Sequence, residues 1–155
     1  MKPLLNTTLL FLLVIGFSGG VSGQDFEETK RLAEQGNASA QYNLGNMYDL
    51  GEGVPENNAE AAKWYRLSAG QGYIIAQVAL AVLYLINEEG DPQNNIRAYM
   101  WFSVAAGRDS ATLVNLVTAA GDSRDMLAEI LTPDQLARGQ DMATRCFESD
   151  FQDCE

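Results

Sequence analysis

The 155-residue chain carries 10 Lys and Arg against 21 Asp and Glu, a formal net charge of −11 at pH 7, and no histidine. That balance argues against a nucleic-acid surface, which needs clustered Lys and Arg to neutralise phosphates. The lack of histidine removes the commonest general base, the usual triad member and the commonest metal ligand.

In chain order, the first element is a leader. Met1 and Lys2 form a short positive start, Leu9 to Phe17 is apolar apart from Gly16, and small residues follow up to Val21-Ser22-Gly23. This pattern predicts a signal peptide over residues 1–23, cleaved after Gly23. The apolar run is too short to span a bilayer, so no membrane span is expected once the leader is gone. Cleavage leaves 132 residues with a formal charge of −12, enough for one compact domain. The expected location is periplasmic or extracellular.

The next segment, Asp25 to Gln35, reads as a helix with Asp25 as N-cap and Glu28 three residues later. A repeat follows. "AEQGNASAQYNLGNMY" (33–48) returns as "AGQGYIIAQVALAVLY" (69–84), 36 residues on, with Ala33, Gln35, Gly36, Ala40, Gln41, Leu44 and Tyr48 matched by identical partners. "AAKWYRLSAG" (61–70) returns as "AYMWFSVAAG" (98–107), now offset by 37. Each unit reads as two helices. Ala40, Leu44, Met47 and Tyr48 make one apolar stripe, and Ala61, Trp64, Tyr65 and Ala69 make another. Between them, "GEGVPENN" is turn chemistry, with Gly51 set to end one helix in a left-handed conformation and Asn57 or Asn58 set to cap the next. The second unit has Asp91-Pro92 at the matching break.

Tyr73 to Ile86 is apolar nearly all round apart from Gln77, which predicts a helix sandwiched in the core. Ser110 to Leu131 reads as one long helix with a weak point at Gly121-Asp122-Ser123. "TPDQ" (132–135) then supplies an N-cap, a first-position proline and a third-position Gln for a last helix reaching about Cys146. No strand pattern survives. The fold class expected is an all-α stack of helix pairs sharing one continuous core.

The pattern A-x-x-G-x-x-x-A-x-x-x-L-G-x-M-Y-x-x-G-x-G-V, followed by A-x-x-W-Y-x-x-A, resembles the Sel-one-like repeat (SLR), a relative of the tetratricopeptide repeat. It is carried by Ala33, Gly36, Ala40, Leu44, Gly45, Met47, Tyr48, Gly51, Gly53, Val54, Ala61, Trp64, Tyr65 and Ala69. The second copy departs where Ala81 replaces the glycine and "INEEG" replaces "GEGV". "RDMLAEILTPDQLARGQDMA" (124–143) resembles the C-terminal cap of bacterial SLR proteins. The resemblance implies an α/α superhelix of two to three SLR helix pairs with N- and C-terminal capping helices. Its domain spans 24–155, with repeat one at about 37–70, repeat two at about 73–107, and a degenerate third repeat and cap at about 108–155. Tyr48, Trp64, Tyr84 and Trp101 are expected to fill the wider gaps between helices.

The resemblance also implies a role in protein–protein recognition, as an adaptor or regulator of the bacterial cell envelope. The concave face, lined by the first helix of each repeat, makes Gln41, Asn43, Asn46 and Gln77 the candidate contact residues. The acidic composition suits a basic partner surface. Cysteine-rich SLR relatives pair cysteines at repeat junctions, which implies a disulfide between Cys146 and Cys154. In one continuous helix those two residues would stand about 12 Å apart, too far to bridge, so the chain must turn back between them. Some such relatives are described as penicillin-binding or β-lactamase-like, which makes a hydrolase the alternative. Lys2, Lys30 and Lys63 do not lie three residues after a serine, so the Ser-x-x-Lys nucleophile motif is missing. No catalytic residue, cofactor or metal is therefore expected.

Overall fold

A computed structural model describes residues 23–86 and 91–154. The expected leader lies outside the described residues except for Gly23, as does most of the "INEEG" turn. Among the described residues seven helices form: α1 (Gly23–Glu34), α2 (Ala38–Leu50), α3 (Asn58–Ala69), α4 (Ile74–Ile86), α5 (Pro92–Ala106), α6 (Val114–Ile130) and α7 (Pro133–Glu148). No strand occurs among the described residues. The helices stack in chain order, α1 on α2 through to α5 on α6, and α7 returns to lie against α5. The result is the all-α stack that the repeat predicts.

Local chemistry sets most boundaries. The Asn37 side chain accepts from the Ala40 amide at 2.9 Å and opens α2. Asn57, rather than Asn58, caps α3 by accepting from the Ala59 and Glu60 amides, both at 3.1 Å. Asp91 accepts from the Gln93 amide ahead of Pro92, and Thr132 with Gln135 completes a capping box on α7. Such caps satisfy amide donors that an open helix end leaves unpaired. Gly51 ends α2 at φ 69°, where a side chain would be strained, and its amide bonds back to the Met47 carbonyl. Gly51 of "GEGV" therefore ends the helix, and Gly53, at φ 76°, carries the turn onward.

Three boundaries differ from expectation. α1 already includes Gly23, so Asp25 sits inside the first turn, where a carboxylate suits the helix dipole, rather than at the cap. α6 starts at Val114 because the chain from Gly107 to Leu113 forms an irregular connection, with the Ser110 hydroxyl accepting from the Leu113 amide. The expected weak point at 121–123 is continuous helix, with Gly121 facing Ala106 across the contact with α5 and the Ser123 hydroxyl donating to the Ala119 carbonyl.

The core is unequal. One large cluster runs from Ala61 and Tyr65 on α3 through α4 and α5 to Ala143, Cys146 and Cys154. A smaller one holds Ala33, Ala40, Leu44 and Met47, with Phe26, Tyr48, Val54 and Trp64 packed on its margin. Trp101 and Tyr84 are buried, as expected. Trp64 and Tyr48 are only half-buried: Trp64 lies on the margin of the small cluster, and Tyr48 packs between the two clusters with Phe26 of α1 edge-on to it. α4 differs as well: Ala76, Gln77, Leu80, Ala81, Leu83 and Tyr84 are buried, but Val82 and Ile86 are exposed, so the helix is covered on one side only.

Gly45 shows why small residues recur at helix crossings. A Cβ there would stand 2.6 Å from the Tyr65 ring, so glycine lets the ring lie directly on α2.

Cys146 and Cys154 form the disulfide, with their Cα atoms 4.2 Å apart. The turn between them carries Asp150 and Phe151 at positive φ. It lays Phe151 under the Arg108 guanidinium, 4.7 Å from the ring centroid, and against Gly72. The Gln152 side-chain amide donates to the Gly70 carbonyl at 3.0 Å. The stapled tail thus closes over the junction between the two repeats.

Candidate functional site

The four polar residues expected to meet a partner fall into different environments. Gln41 is buried, and its side-chain amide donates to the Ala33 carbonyl at 3.1 Å. Gln77, fully buried, makes the same bond to the Ala69 carbonyl at 3.2 Å. Each glutamine ties its helix to the end of the preceding one, eight residues back, at a carbonyl that also accepts from the turn amide of Gly36 or Gly72. Both act as inter-helix ties, and Gln41 also lines a surface groove with Arg66, Leu67 and Gln71. Asn46 is half-buried and accepts from the Tyr65 hydroxyl at 3.2 Å, with Asp49 a second acceptor at 3.3 Å. Asn43 is exposed.

Around Tyr65 the chain assembles an aromatic and polar cluster. Tyr42 stacks on Tyr65 with ring centroids 5.8 Å apart and meets Tyr73 at 5.7 Å, which brings the start of α4 beside α2. Burial first, then the Asp49 carboxylate, holds the Tyr65 phenol well above its usual pKa. Burial, then Tyr73 and Asp49, raises Tyr42 too. These phenols pack on one another, with the Tyr65 hydroxyl held between Asn46 and the Asp49 carboxylate.

The surface beside this cluster differs between repeats. On α2 the residues Ser39, Tyr42, Asn43, Asn46 and Leu50 share one face at three- and four-residue spacing. The matching positions of α4 are Ile75, Val78, Ala79, Val82 and Ile86. Val82 is 43% exposed and Ile86 61%, with Ile75, Val78 and Ala79 half-buried. The periodicity of this face was present in the sequence. It read as core because a single helix cannot show which side its neighbours leave open.

On the side of the second helices, a groove of about 460 Å³ is lined by Asn58, Ala62, Arg66, Tyr84, Asn94 and Arg97, among others. The Arg66 and Arg97 guanidinium carbons lie 5.6 and 5.7 Å from the Tyr84 ring centroid, and Arg66 also donates to the Tyr84 hydroxyl. Arg66 thereby braces the first repeat against the second, while Arg97 packs on the same ring from within the second repeat. No group of His, Cys, Asp or Glu suited to hold a metal ion occurs among the described residues.

The Sel1 repeat family model matches residues 38–73 and 74–110, so each match covers one first helix, one second helix and the glutamine that ties the first helix to the element before it. The chain is a Sel1-repeat protein. Among solved structures it is similar to a protective antigen present in uropathogenic Escherichia coli strains that displays an SLR fold, at a TM-score of 0.71 and 29% sequence identity. That likeness covers 83% of this chain but 27% of the antigen, so the chain spans about a quarter of the antigen's length. No curated protein matches. Sel1 repeats generally mediate protein–protein interaction, and the helix pairs here are such repeats.

Proposed function

We propose that this Sel1-repeat protein is an adaptor, scaffold or regulator of the bacterial cell envelope, exported by the leader over residues 1–23 and acting by holding another protein. The observation that carries this reading is the pair of Sel1 repeats stacked into one body whose first helices keep an exposed face. The Cys146–Cys154 disulfide suits an oxidising compartment outside the cytoplasm. No helix among the described residues is long and apolar enough to cross a membrane. The excess of acidic residues favours a partner with a basic surface, since complementary potentials speed encounter and disfavour wrong partners.

The test is capture from envelope extract with purified protein, joined to fractionation of cells producing the full chain. Specific retention of an envelope protein, together with recovery of a shortened chain outside the cytoplasm, supports the reading. Retention of nothing above a bead control, or recovery of full-length chain in the cytoplasm alone, overturns it. Clear hydrolysis of a chromogenic β-lactam by the pure protein would replace it with the hydrolase alternative.

A further inference from the structure

We propose that residues 149–153 are a strap worked by thiol–disulfide exchange at Cys146 and Cys154, laid over the junction of the two repeats when the disulfide is closed and lifted from it when the disulfide is reduced. Two hollows meet at this strap. One, of about 210 Å³, is lined by Arg66, Gly70, Trp101, Phe151, Gln152 and Cys154. The other, of about 330 Å³, shares Arg66, Gly70, Phe151 and Gln152 with it and continues to Gln41 and Leu67. Phe151 and Gln152 line both, so they are the partition between the two. Once they lift, the hollows join into one cleft that runs from Gln41 in repeat one to Trp101 in repeat two.

Apart from its covalent link the strap is lightly held. Asp150, Gln152 and Asp153 are exposed, and Ser149 and Phe151 are half-buried. It meets the repeats through the Phe151 ring, seated between Gly72 and the Arg108 guanidinium, and through the bond from Gln152 to the Gly70 carbonyl. The Arg145–Asp153 ion pair is open to solvent and holds little. Asp150 and Phe151 sit at φ 52° and 66°, a region that residues with a Cβ avoid, and a closed ring leaves the chain few ways out of it. Opening the ring restores those ways. The last turn of α7, where the Ser149 amide donates to the Arg145 carbonyl, needs no disulfide to persist. The exchange takes a dithiol as reductant. One of its thiolates attacks Cys154 Sγ, which lines the smaller hollow where Cys146 does not, and the S–S bond breaks with Cys146 leaving as a thiolate that takes up a proton. The second thiol of the reductant then displaces Cys154, so two electrons and two protons pass to the protein and the reductant departs as a cyclic disulfide.

The experiment compares the purified chain oxidised and reduced with dithiothreitol, its thiols counted by alkylation and mass spectrometry. Reduction should speed hydrogen exchange at least about tenfold at the Phe151 and Asp153 amides, which donate to the Cys146 carbonyl and the Ser149 hydroxyl, while circular dichroism keeps its helical signal. In Trp64→Phe, which leaves Trp101 as the one tryptophan, acrylamide should quench the reduced chain about twice as strongly as the oxidised one. Reoxidation should reverse both changes. Phe151→Gly, at a position whose φ of 66° suits glycine, removes the partition with the disulfide intact, so quenching of Trp101 should rise in that variant without any reductant.

Three outcomes overturn the proposal. A disulfide that stays closed at every dithiothreitol concentration that leaves the fold intact puts the exchange out of reach. Unchanged exchange and quenching in the fully reduced chain show that the strap stays down by its own contacts. Loss of the helical signal on reduction makes the disulfide a staple of the whole fold, with no strap to lift separately. Capture of an envelope protein enters none of these readouts, so the strap and the adaptor reading stand or fall apart.

Discussion

Trp64 and Trp101 hold the same position in successive repeats, yet Trp101 is 2% exposed while Trp64 lies half-buried on the margin of the small N-terminal cluster. The difference comes from their neighbours. Repeat two is covered by repeat one on one side and by α6, α7 and the stapled tail on the other. Repeat one has α1 as its outer cover, a largely charged helix whose Phe26 meets Tyr48 edge-on at 5.9 Å. In a stack, a repeat's stability is its own plus that of its interfaces, so identical residues contribute differently by position.

Replacing each tryptophan by alanine tests this most directly. Trp101→Ala should cost about 3–5 kcal/mol, as expected for a fully buried aromatic. Trp64→Ala should cost about 1–2 kcal/mol, in proportion to the smaller area it buries. Denaturant unfolding measures both, and equal losses would break the contrast.

The disulfide comes next in size. Cys146→Ser with Cys154→Ser should lower stability by about 2–3 kcal/mol, the loop-closure effect for so short a ring. The loss should fall on the junction that the tail covers, so amides near Gly70 and Arg108 should gain hydrogen exchange while those of α1 and α2 do not. Uniform gain throughout the chain would show that the tail stabilises both repeats alike.

The glutamine ties give a finer comparison. Gln41 bonds on both sides, because its carbonyl oxygen accepts from the Gln71 side chain at 2.6 Å. The residue matching Gln71 in repeat two is Arg108, which lies over Phe151 instead, and the buried Gln77 carbonyl oxygen has no partner among the described residues. Gln41→Met should therefore cost about 1–2 kcal/mol. Gln77→Met should cost less, since losing one bond is offset by removing an unsatisfied buried oxygen. Thermal unfolding that ranks them the other way would refute this account.

The smallest effect is on pH dependence. A phenol whose pKa is raised in the folded state stabilises the fold below its ordinary value of about 10, and that contribution fades as pH climbs toward the folded value. Tyr65 and Tyr42 are raised, so alkaline unfolding should be milder in Tyr65→Phe, which gives repeat one the residue Phe102 that repeat two has at that position. Absorbance titration of the native protein should show these phenols ionising late. Ionisation of all six tyrosines together near the ordinary value would contradict the burial described.

What could be read from the chain followed the range of each interaction. Asn37, Asn57, Asp91 and Thr132 act on amides two or three residues away, so three of these caps and the helices they open were visible in short motifs. The 36-residue return of Ala, Gly, Leu and Tyr likewise exposed the stack. The start of α6 was misjudged because the chain after Gly107 bends where an apolar pattern alone would continue a helix. The roles of Gln41 and Gln77 were missed for a related reason. Their acceptors lie at the ends of other helices, although the recurring Ala-to-Gln interval of eight (Ala33 to Gln41, Ala69 to Gln77) is printed in the repeat. Which face of α4 stays open depended on how the neighbouring helices lie, which no single helix encodes.

The tail also changes how the stack comes apart. An open array of repeats frays inward from either end, one unit at a time, because each touches only its neighbours. Here Gln152 is fastened to Gly70, 82 positions earlier, by a loop that the disulfide keeps shut. The C-terminal end cannot peel away without also disturbing the middle, so everything between those two points should melt as one cooperative block. Slack remains at the other end, where α1 alone guards the first repeat.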